Sequence, residues 1–298
     1  MSTEMMRSLL FVPAEERKLS KLPGLDSDGI IIDLEDAVPP ARKSDARKLA
    51  AEWLPRVPGP LTVVRVNTEP EELTEDLRAV VGPNVDAVML PKLESTDSLR
   101  DLDRRLAELE AEQSLEPGRI RILGLIETAR GVVALEEIAM TAPPRLLTFC
   151  LGPADLATDL RLHPRADGDE LAYVRSRVVV ATRAAGLPSP IDGPFGGIRD
   201  LVGLAGDSCR SRAFGFQGRL VLHPDHVPTV RHSYAGTSLK EIKFARKVVA
   251  LFEEQRDLGI GAIVVDDVVV DQPVYQRYAQ LIREGDLAVN GATPEGAA

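Results

Sequence analysis

Residues 121–128, Arg-Ile-Leu-Gly-Leu-Ile-Glu-Thr, form a short run of branched apolar side chains that closes on a carboxylate, Glu127. A second run, Leu-Leu-Thr-Phe-Cys-Leu-Gly, occupies residues 146–152, and Asp155 follows it. Continuous apolar runs of this length are typical of parallel strands that are buried on both faces. If these two strands are neighbours, Glu127 and Asp155 emerge at the same end of the sheet and can share a divalent cation.

Runs of the same kind recur along the chain and alternate with charged segments that have helical spacing. They lie at residues 8–13, 29–35, 61–67, 86–92, 121–128, 146–152, 186–192 and 219–224. This alternation predicts an α/β protein, and we expect a (β/α)8 TIM barrel with a short C-terminal appendage. A doubly wound open sheet is the alternative, because a sequence pattern cannot show closure. Both architectures place their sites at the carboxyl ends of the strands.

The chain divides in two on this interpretation. We expect the catalytic barrel domain to span residues 1–235. Residues 236–298 contain an amphipathic helix, two strand-like runs around Asp266-Asp267 that predict a hairpin, and a closing helix and tail. Because this segment is too short for an independent domain, we expect it to pack on the barrel or to reach a neighbouring subunit.

Composition excludes several classes of partner. The net charge of -10 and the pI near 5.1 disfavour nucleic acid or an anionic membrane as the main partner. No segment approaches the roughly 20 apolar residues that span a bilayer. With only two cysteines, a disulfide framework has no support. We therefore expect a cytoplasmic metabolic protein with small-molecule partners.

Polar residues at the strand ends are the candidate functional groups. Arg65 can bind a carboxylate or a developing enolate at two points, it can form a core ion pair with Asp33 or Glu35, or it can do both. Asp33, Glu35 and Asp36 can orient Arg65 and metal-bound waters, or they can cap the helix that follows. Lys92 can hold an anionic substrate, or it can be a solvated charge at a strand end.

Glu127 and Asp155 form a candidate metal pair. Mg2+ takes oxygen ligands and keeps several waters, so two carboxylates leave positions open for a chelating 2-oxo or 2-hydroxy acid. For Asp155 the alternative is an acid placed in the first turn of a helix, where the macrodipole favours it.

Taken together, these residues resemble the citrate lyase beta subunit-like family of acyl-CoA lyases. That family lies within the Mg2+-dependent HpcH/HpaI aldolase superfamily, which also holds malyl-CoA and citramalyl-CoA lyases. The matching stretches follow family order over about residues 7 to 232 and start at Arg7 (RSLLFVP), Asp33 (DLEDAV), Val64 (VRVN), Met89 (MLPK), Leu125 (LIETARG), Gly152 (GPADL), Ile191 (IDGP) and Gly215 (GFQGRLVLHP). Each motif is weak alone, whereas the ordered set is specific.

The resemblance implies a barrel, in homotrimers or homohexamers, that makes or breaks a carbon–carbon bond between a CoA thioester and a 2-oxo acid. It implies that Glu127 and Asp155 bind Mg2+ and that Arg65 binds substrate near the reacting oxygen. We also expect Glu127, Lys92 and Gly152 to line the substrate site. The segment around Asp271 resembles the family's C-terminal Asp-x-Pro segment, whose aspartate serves as acid/base in a neighbouring subunit's site.

The substrate is expected to be a 3-hydroxyacyl-CoA such as malyl-CoA or citramalyl-CoA. Alternatives are a class II aldolase acting on free hydroxy-oxo acids without CoA, and a noncatalytic barrel subunit of a lyase complex. The sequence does not decide whether Arg7, Arg210 or Arg212 contacts CoA, or whether Asp271 acts in its own subunit. The Gln217 and Arg219 positions depart from the family's common Gly-Phe-Asp/Glu-Gly-Lys pattern.

Overall fold

Eight parallel strands close into a barrel in the computed structural model, which describes residues 6–163, 165, 168–236 and 239–290. The strands are β1 (Ser8–Pro13), β2 (Gly29–Asp33), β3 (Thr62–Arg65), β4 (Ala87–Leu90), β5 (Arg121–Ile126), β6 (Leu146–Leu151), β7 (Ile191–Asp192) and β8 (Gly218–Val221). Each strand pairs with the next, and β8 pairs with β1. This last pairing excludes the open sheet, and the predicted (β/α)8 barrel is confirmed.

Helices connect the strands and cover the outside of the barrel. They are α1 (Glu16–Leu19), α2 (Lys43–Trp53), α3 (Pro70–Val80), α4 (Thr96–Glu112), α5 (Ala129–Thr141), α6 (Pro153–Asp159), α7 (Ala172–Ala184), α8 (Leu201–Phe214) and α9 (Val227–Ser233). Thr128 caps α5 by accepting a hydrogen bond from the Gly131 N–H, and Asp200 caps α8 in the same way through the Gly203 N–H. The α5 cap directly follows Glu127, so it defines where β5 turns into the helix.

The strands are apolar on both faces because each face borders a separate core. Inward-facing side chains such as Leu9, Ile31 and Met89 fill the barrel interior. Outward-facing neighbours such as Leu10 and Ile32 pack under the helices, in a larger cluster. Because successive side chains of a strand point to opposite faces, alternate residues of each run are buried either in the barrel interior or under the helices.

The chain separates into two compact units, Met1–Tyr234 and Ala235–Ala298. The second contains α10 (Leu239–Asp257), β9 (Ile263–Val265), β10 (Val268–Val270) and α11 (Gln272–Asn290). β9 and β10 form an antiparallel hairpin around Asp266 and Asp267, whose φ values of 46° and 64° suit a tight primed turn. Its small core contains Val248, Phe252 and Val270, among others. Within the described ranges, we find no helix whose length and apolar content would suffice to traverse a bilayer.

Candidate active site

The register of the barrel brings charged strand ends together at its carboxyl face. Asp33 of β2 lies opposite Arg65 of β3. Ile126 of β5 lies opposite Leu151 of β6, so Glu127 and Gly152, which directly follow these strands, become neighbours. Residues about 30 positions apart in sequence therefore share one site, as expected for this face of the barrel.

Arg65 is held by carboxylates from β2. Its Nε and Nη2 donate to the two Asp33 oxygens at 2.8 and 2.7 Å, and its Nη1 lies 3.1 Å from Glu35. Burial acts to lower the pKa of Arg65, but the hydrogen bonds and charge of Asp33, followed by the charge of Glu35, raise it above its usual range. The guanidinium also lies over the Phe11 ring, 4.8 Å from its centroid. The core ion pair is therefore present, and Arg65 is a rigid, permanently charged group.

Lys92 links two parts of the site. Its backbone N–H donates to Glu127 Oε1 at 2.8 Å, while its ammonium pairs with Glu35 and lies 3.7 Å from Asp36. The residue has a left-handed backbone with φ of 48°, which is uncommon for a side chain other than glycine or asparagine. Lys92 thus contacts carboxylates with its main chain and its side chain, and 40% of the side chain remains exposed.

Glu127 is the most perturbed acid of the site. It is 1% exposed, and burial raises its pKa to about 8. The Lys92 N–H opposes this rise, and the negative charges of Asp155 and Glu35 add to it. A carboxylate in this position lacks sufficient positive charge nearby, which is the condition that a bound cation would correct.

Gly152 and Asp155 enter the site from the β6–α6 junction. A Cβ atom on Gly152 would lie 2.5 Å from the Cβ of Glu127, so only glycine lets Glu127 occupy its position. Asp155 stands in the first turn of α6. Its negative charge raises the pKa of Glu127, as that of Glu35 does, whereas the positive charge of Arg65 lowers it. The structure therefore brings both members of the predicted metal pair and the predicted anchor into one electrostatic neighbourhood.

The charge balance of this neighbourhood is negative. In the described part of the chain, five carboxylates (Asp33, Glu35, Asp36, Glu127 and Asp155) face three cations (Arg65, Lys92 and Lys43), so ionisation of all five acids would leave two negative charges in excess. Among the described residues no three His, Cys, Asp or Glu side chains group as a metal cluster. Two carboxylates with open positions nevertheless suit Mg2+, which completes its shell with water and ligand oxygens.

A supporting network beside the site was not predicted as functional. Lys43 donates to the carbonyls of Leu34 and Glu35 at 2.8 Å and to Asn67 at 2.6 Å. Asn67 in turn donates to the buried Asp76 at 2.7 Å. Because these bonds fix the backbone of the β2–α2 turn, they hold the carboxylates of that turn in place. The polar Asn67 at the end of an apolar run was the one available signal.

The residues that the sequence left open lie elsewhere in the first unit. Arg7 pairs with Asp28 at 3.0 Å, at the amino ends of β1 and β2, and so on the face opposite the site. Arg210 lies on α8, 3.4 Å from Asp169, and Arg212 is exposed on the same helix.

Asp271 belongs to the second unit, where it precedes α11. It is exposed, and its Oδ1 accepts a hydrogen bond from the Val274 N–H at 3.1 Å, as an N-cap does. Its backbone carbonyl accepts from the Tyr275 N–H. The turn after β10 therefore presents this carboxylate to its surroundings from a defined position.

Comparison with known proteins agrees with the geometry of the barrel. A sequence model described as HpcH/HpaI aldolase/citrate lyase matches residues 7–224, which contain every strand of the barrel and all the site residues named above except Asp271. This chain belongs to the HpcH/HpaI aldolase/citrate lyase family. The resemblance seen in the ordered motifs is thereby confirmed.

Relatives of this HpcH/HpaI aldolase/citrate lyase family member carry two kinds of name. The citrate lyase subunit beta of Leuconostoc mesenteroides subsp. cremoris is 33% identical over 281 residues, which are 93% of this chain and 92% of that protein. A (3S)-malyl-CoA thioesterase of Cereibacter sphaeroides is 34% identical over 269 residues, 89% of each chain. Among solved structures, the protein CitE from Mycobacterium tuberculosis, in complex with magnesium, acetoacetate and coenzyme A, matches with a TM-score of 0.76 and 30% identity, covering 95% of this chain and 98% of that one.

Proposed function

We propose that this protein is a Mg2+-dependent carbon–carbon lyase that cleaves, or forms by condensation, a 3-hydroxyacyl-CoA such as malyl-CoA or citramalyl-CoA. The products of cleavage are an acetyl-CoA-type thioester and a 2-oxo acid. The observation that carries the proposal is the buried Glu127 carboxylate, whose pKa of about 8 reflects burial and the nearby charge of Asp155. The relative solved with magnesium, acetoacetate and coenzyme A supports the choice of cofactor and substrate class.

Glu127 and Asp155 would hold the cation, with Gly152 providing the space for Glu127. When bound, Mg2+ supplies Lewis-acid polarisation of the oxygen on which negative charge develops during cleavage. Once Glu127 is ionised, as metal ligation requires, the excess of two negative charges around the pair suits a dication. Both waters and a chelating organic acid can complete the coordination shell.

Arg65 would bind the organic acid. Two of its N–H groups bond with Asp33, which fixes the plane of the guanidinium and leaves other N–H groups for a carboxylate or a developing oxyanion. Lys92 would contribute positive charge to the same side of the site, because 40% of its side chain is exposed although its ammonium pairs with Glu35. The ion pairs position these groups before substrate arrives.

Asp271 would move the proton that the reaction requires. In cleavage, the carbon–carbon bond breaks as the substrate hydroxyl gives its proton to a water molecule, and the electron pair of the bond passes to the thioester fragment as an enolate. Asp271 would protonate the alpha carbon of that enolate, and in condensation it would remove the same proton. We propose that it does so in the site of a neighbouring subunit of a homotrimer or homohexamer, with the segment after residue 235 as the part that reaches across.

The test follows products from a panel of thioesters. The protein with Mg2+ is incubated with malyl-CoA, citramalyl-CoA and citryl-CoA, and 2-oxo acid and acetyl-CoA are measured together. We expect equimolar release from at least one thioester, loss of release in Glu127→Gln, and a strong decrease in Asp271→Asn with Mg2+ affinity unchanged. No release from any thioester, with free hydroxy-oxo acids cleaved instead, would contradict the proposal in favour of an aldolase without CoA.

Thioester hydrolysis is a second candidate, because a relative with 34% identity is named a (3S)-malyl-CoA thioesterase. The same panel separates the two reactions by their products. Hydrolysis of malyl-CoA releases malate and free CoA thiol, whereas cleavage releases glyoxylate and acetyl-CoA without free thiol. A thiol reagent therefore gives a signal for hydrolysis alone.

A further inference from the structure

At the carboxyl face of the barrel, the residues that follow three neighbouring strands, β5, β6 and β7, pack in close contact. Glu127, after β5, lies against Gly152, after β6, and Pro153 lies against Gly193, after β7. A Cβ atom on Gly193 would lie 2.6 Å from Pro153 Cγ and 2.7 Å from the Leu151 carbonyl oxygen, and closer still to Pro153 Cδ. Real side chains do not come so close, so no atom can be added between these layers without moving one of them.

Gly193 is also held by the carboxylate of the residue that precedes it. Asp192 is fully buried, and its Oδ1 accepts a hydrogen bond from the Gly193 N–H at 2.8 Å. Its charge is balanced by Arg175 of α7 at 3.1 Å and Arg219 of β8 at 3.0 Å. Because separating these buried partners would leave uncompensated charges, the ion pairs hold the Asp192 side chain in place.

These ion pairs matter more at β7 than elsewhere because the strand is so short. β7 contains only Ile191 and Asp192, and a single residue pair, Cys150 with Ile191, registers it against β6. Both arginines also pair with Asp207 of α8, at 3.0 and 2.6 Å. The end of β7 is therefore located by side chains from two helices and a neighbouring strand, in addition to its short backbone pairings with β6 and β8.

Pro153 links the end of β7 to the candidate metal pair, because it contacts Gly193 and begins the helix that carries Asp155. It is the first residue of α6, and Asp155 stands in the same turn. The peptide before it belongs to Gly152, which has Glu127 packed against it. A shift of Pro153 would thus move one carboxylate directly and disturb the packing of the other.

We propose that Gly193, held by Asp192, is a positioning residue for the metal site, because it sets the start of α6 and hence the position of Asp155 relative to Glu127. The inference rests on the proposed function, since it concerns the Mg2+ site of that function. Gly193 has no side chain to ligate a cation, and it acts on the metal pair through its contacts with Pro153 and with the Leu151 carbonyl at the end of β6. Outer residues of this kind commonly change metal affinity by about 10- to 100-fold.

The test compares Gly193→Ala with Gly196→Ala, a matched control in the same loop whose added Cβ would meet no atom within 4 Å. The Mg2+ dissociation constant is measured by calorimetry and, with Mn2+ as the probe, by electron paramagnetic resonance. Unfolding is followed on the same samples. We expect Gly193→Ala to bind Mg2+ about tenfold more weakly or worse, and Gly196→Ala to stay within about twofold of the wild type.

A double variant identifies the path of the effect. Adding Pro153→Ala removes the ring atoms that the new Cβ meets but leaves the Leu151 carbonyl oxygen at 2.7 Å, so in this background Gly193→Ala should weaken Mg2+ binding less than it does alone. An unchanged Mg2+ affinity in folded Gly193→Ala, with only its unfolding midpoint lowered, would show a structural role and overturn the inference. Equal losses of affinity with and without the proline ring would overturn the path through Pro153.

Two further outcomes are separable. If Gly193→Ala does not fold, Asp192→Asn replaces it, since the amide keeps the shape but removes the charge that both arginines balance, and wild-type Mg2+ affinity in that variant would overturn the inference. A wild-type protein that binds no Mg2+ would remove the proposed metal site itself. A wild-type protein that binds Mg2+ beside an unaffected Gly193→Ala would remove only the positioning role.

Discussion

Magnesium binding should release a proton from Glu127. Burial raises the pKa of this carboxyl to about 8, with the charges of Asp155 and Glu35 adding to the rise. Metal ligation requires the ionised carboxylate, so binding at a pH below 8 must displace the proton. A change of pH across this pKa should therefore change both the affinity for Mg2+ and the number of protons released on binding.

The size of the effect follows from that pKa. At pH 7 a group with a pKa of about 8 is roughly nine-tenths protonated, so about 0.9 protons should be released for each Mg2+ bound, falling to about 0.1 at pH 9. Below pH 8 the apparent Mg2+ affinity should decrease by up to about tenfold for each pH unit. At pH 6 it should be about 100-fold weaker than its high-pH limit.

The stability of the metal-free protein should change in the matching direction. The folded pKa of Glu127 lies above its ordinary value of 4.5, so its contribution to stability is fully present below pH 4.5 and is lost as the pH rises through about 8. At about 1.4 kcal/mol per pH unit, the loss has an upper bound of about 5 kcal/mol. Glu127→Gln, which does not titrate, should lack this part of the pH dependence.

Calorimetry in buffers of different ionisation enthalpy measures the protons released, and urea unfolding of metal-free wild type and Glu127→Gln between pH 5 and 8.5 measures the stability change. Proton release near zero at pH 7 would refute the reasoning, because it would mean that Glu127 is already ionised in the free protein. So would parallel stability profiles for the wild type and the Gln variant.

Three other substitutions have defined outcomes. Gly152→Ala should lower Mg2+ affinity at least about tenfold in a calorimetric titration and cost about 1–3 kcal/mol of stability, because the added Cβ overlaps Glu127. Arg65→Lys should lower kcat/KM about 30- to 100-fold in steady-state assays while Mg2+ affinity stays within about twofold. The reason is that an ammonium cannot reproduce the planar two-point contact that the guanidinium would make with the organic acid. Glu110→Gln should cost about 1–3 kcal/mol in urea unfolding, because the buried Arg145 loses its charged partner at 2.7 Å and keeps only the more exposed Asp103, at 2.6 Å, as a counter-charge.

Much of the site was predictable because strand ends are local features. The runs that close on Arg65 and Glu127 mark where buried strands reach solvent, and parallel strands must end on a common face. The pairing of Arg65 with Asp33 was one of the interpretations that the sequence allowed, and the β2–β3 register is what places the two side chains opposite each other. The contact of Lys92 with Glu35 joins residues from strands that are not adjacent, so no local pattern could reveal it.

The sequence by itself determined that eight buried strands alternate with amphipathic helices and that acids and one arginine stand at their ends, because periodicity and strand termini are properties of consecutive residues. Tertiary structure alone decided that the sheet closes between β8 and β1, that Glu127 needs the empty space at Gly152, and that arginines of α7 and β8 hold the Asp192 carboxylate beside Gly193. Closure, register and steric fit depend on contacts between residues far apart in the chain. Spacing along the sequence carries no measure of those distances.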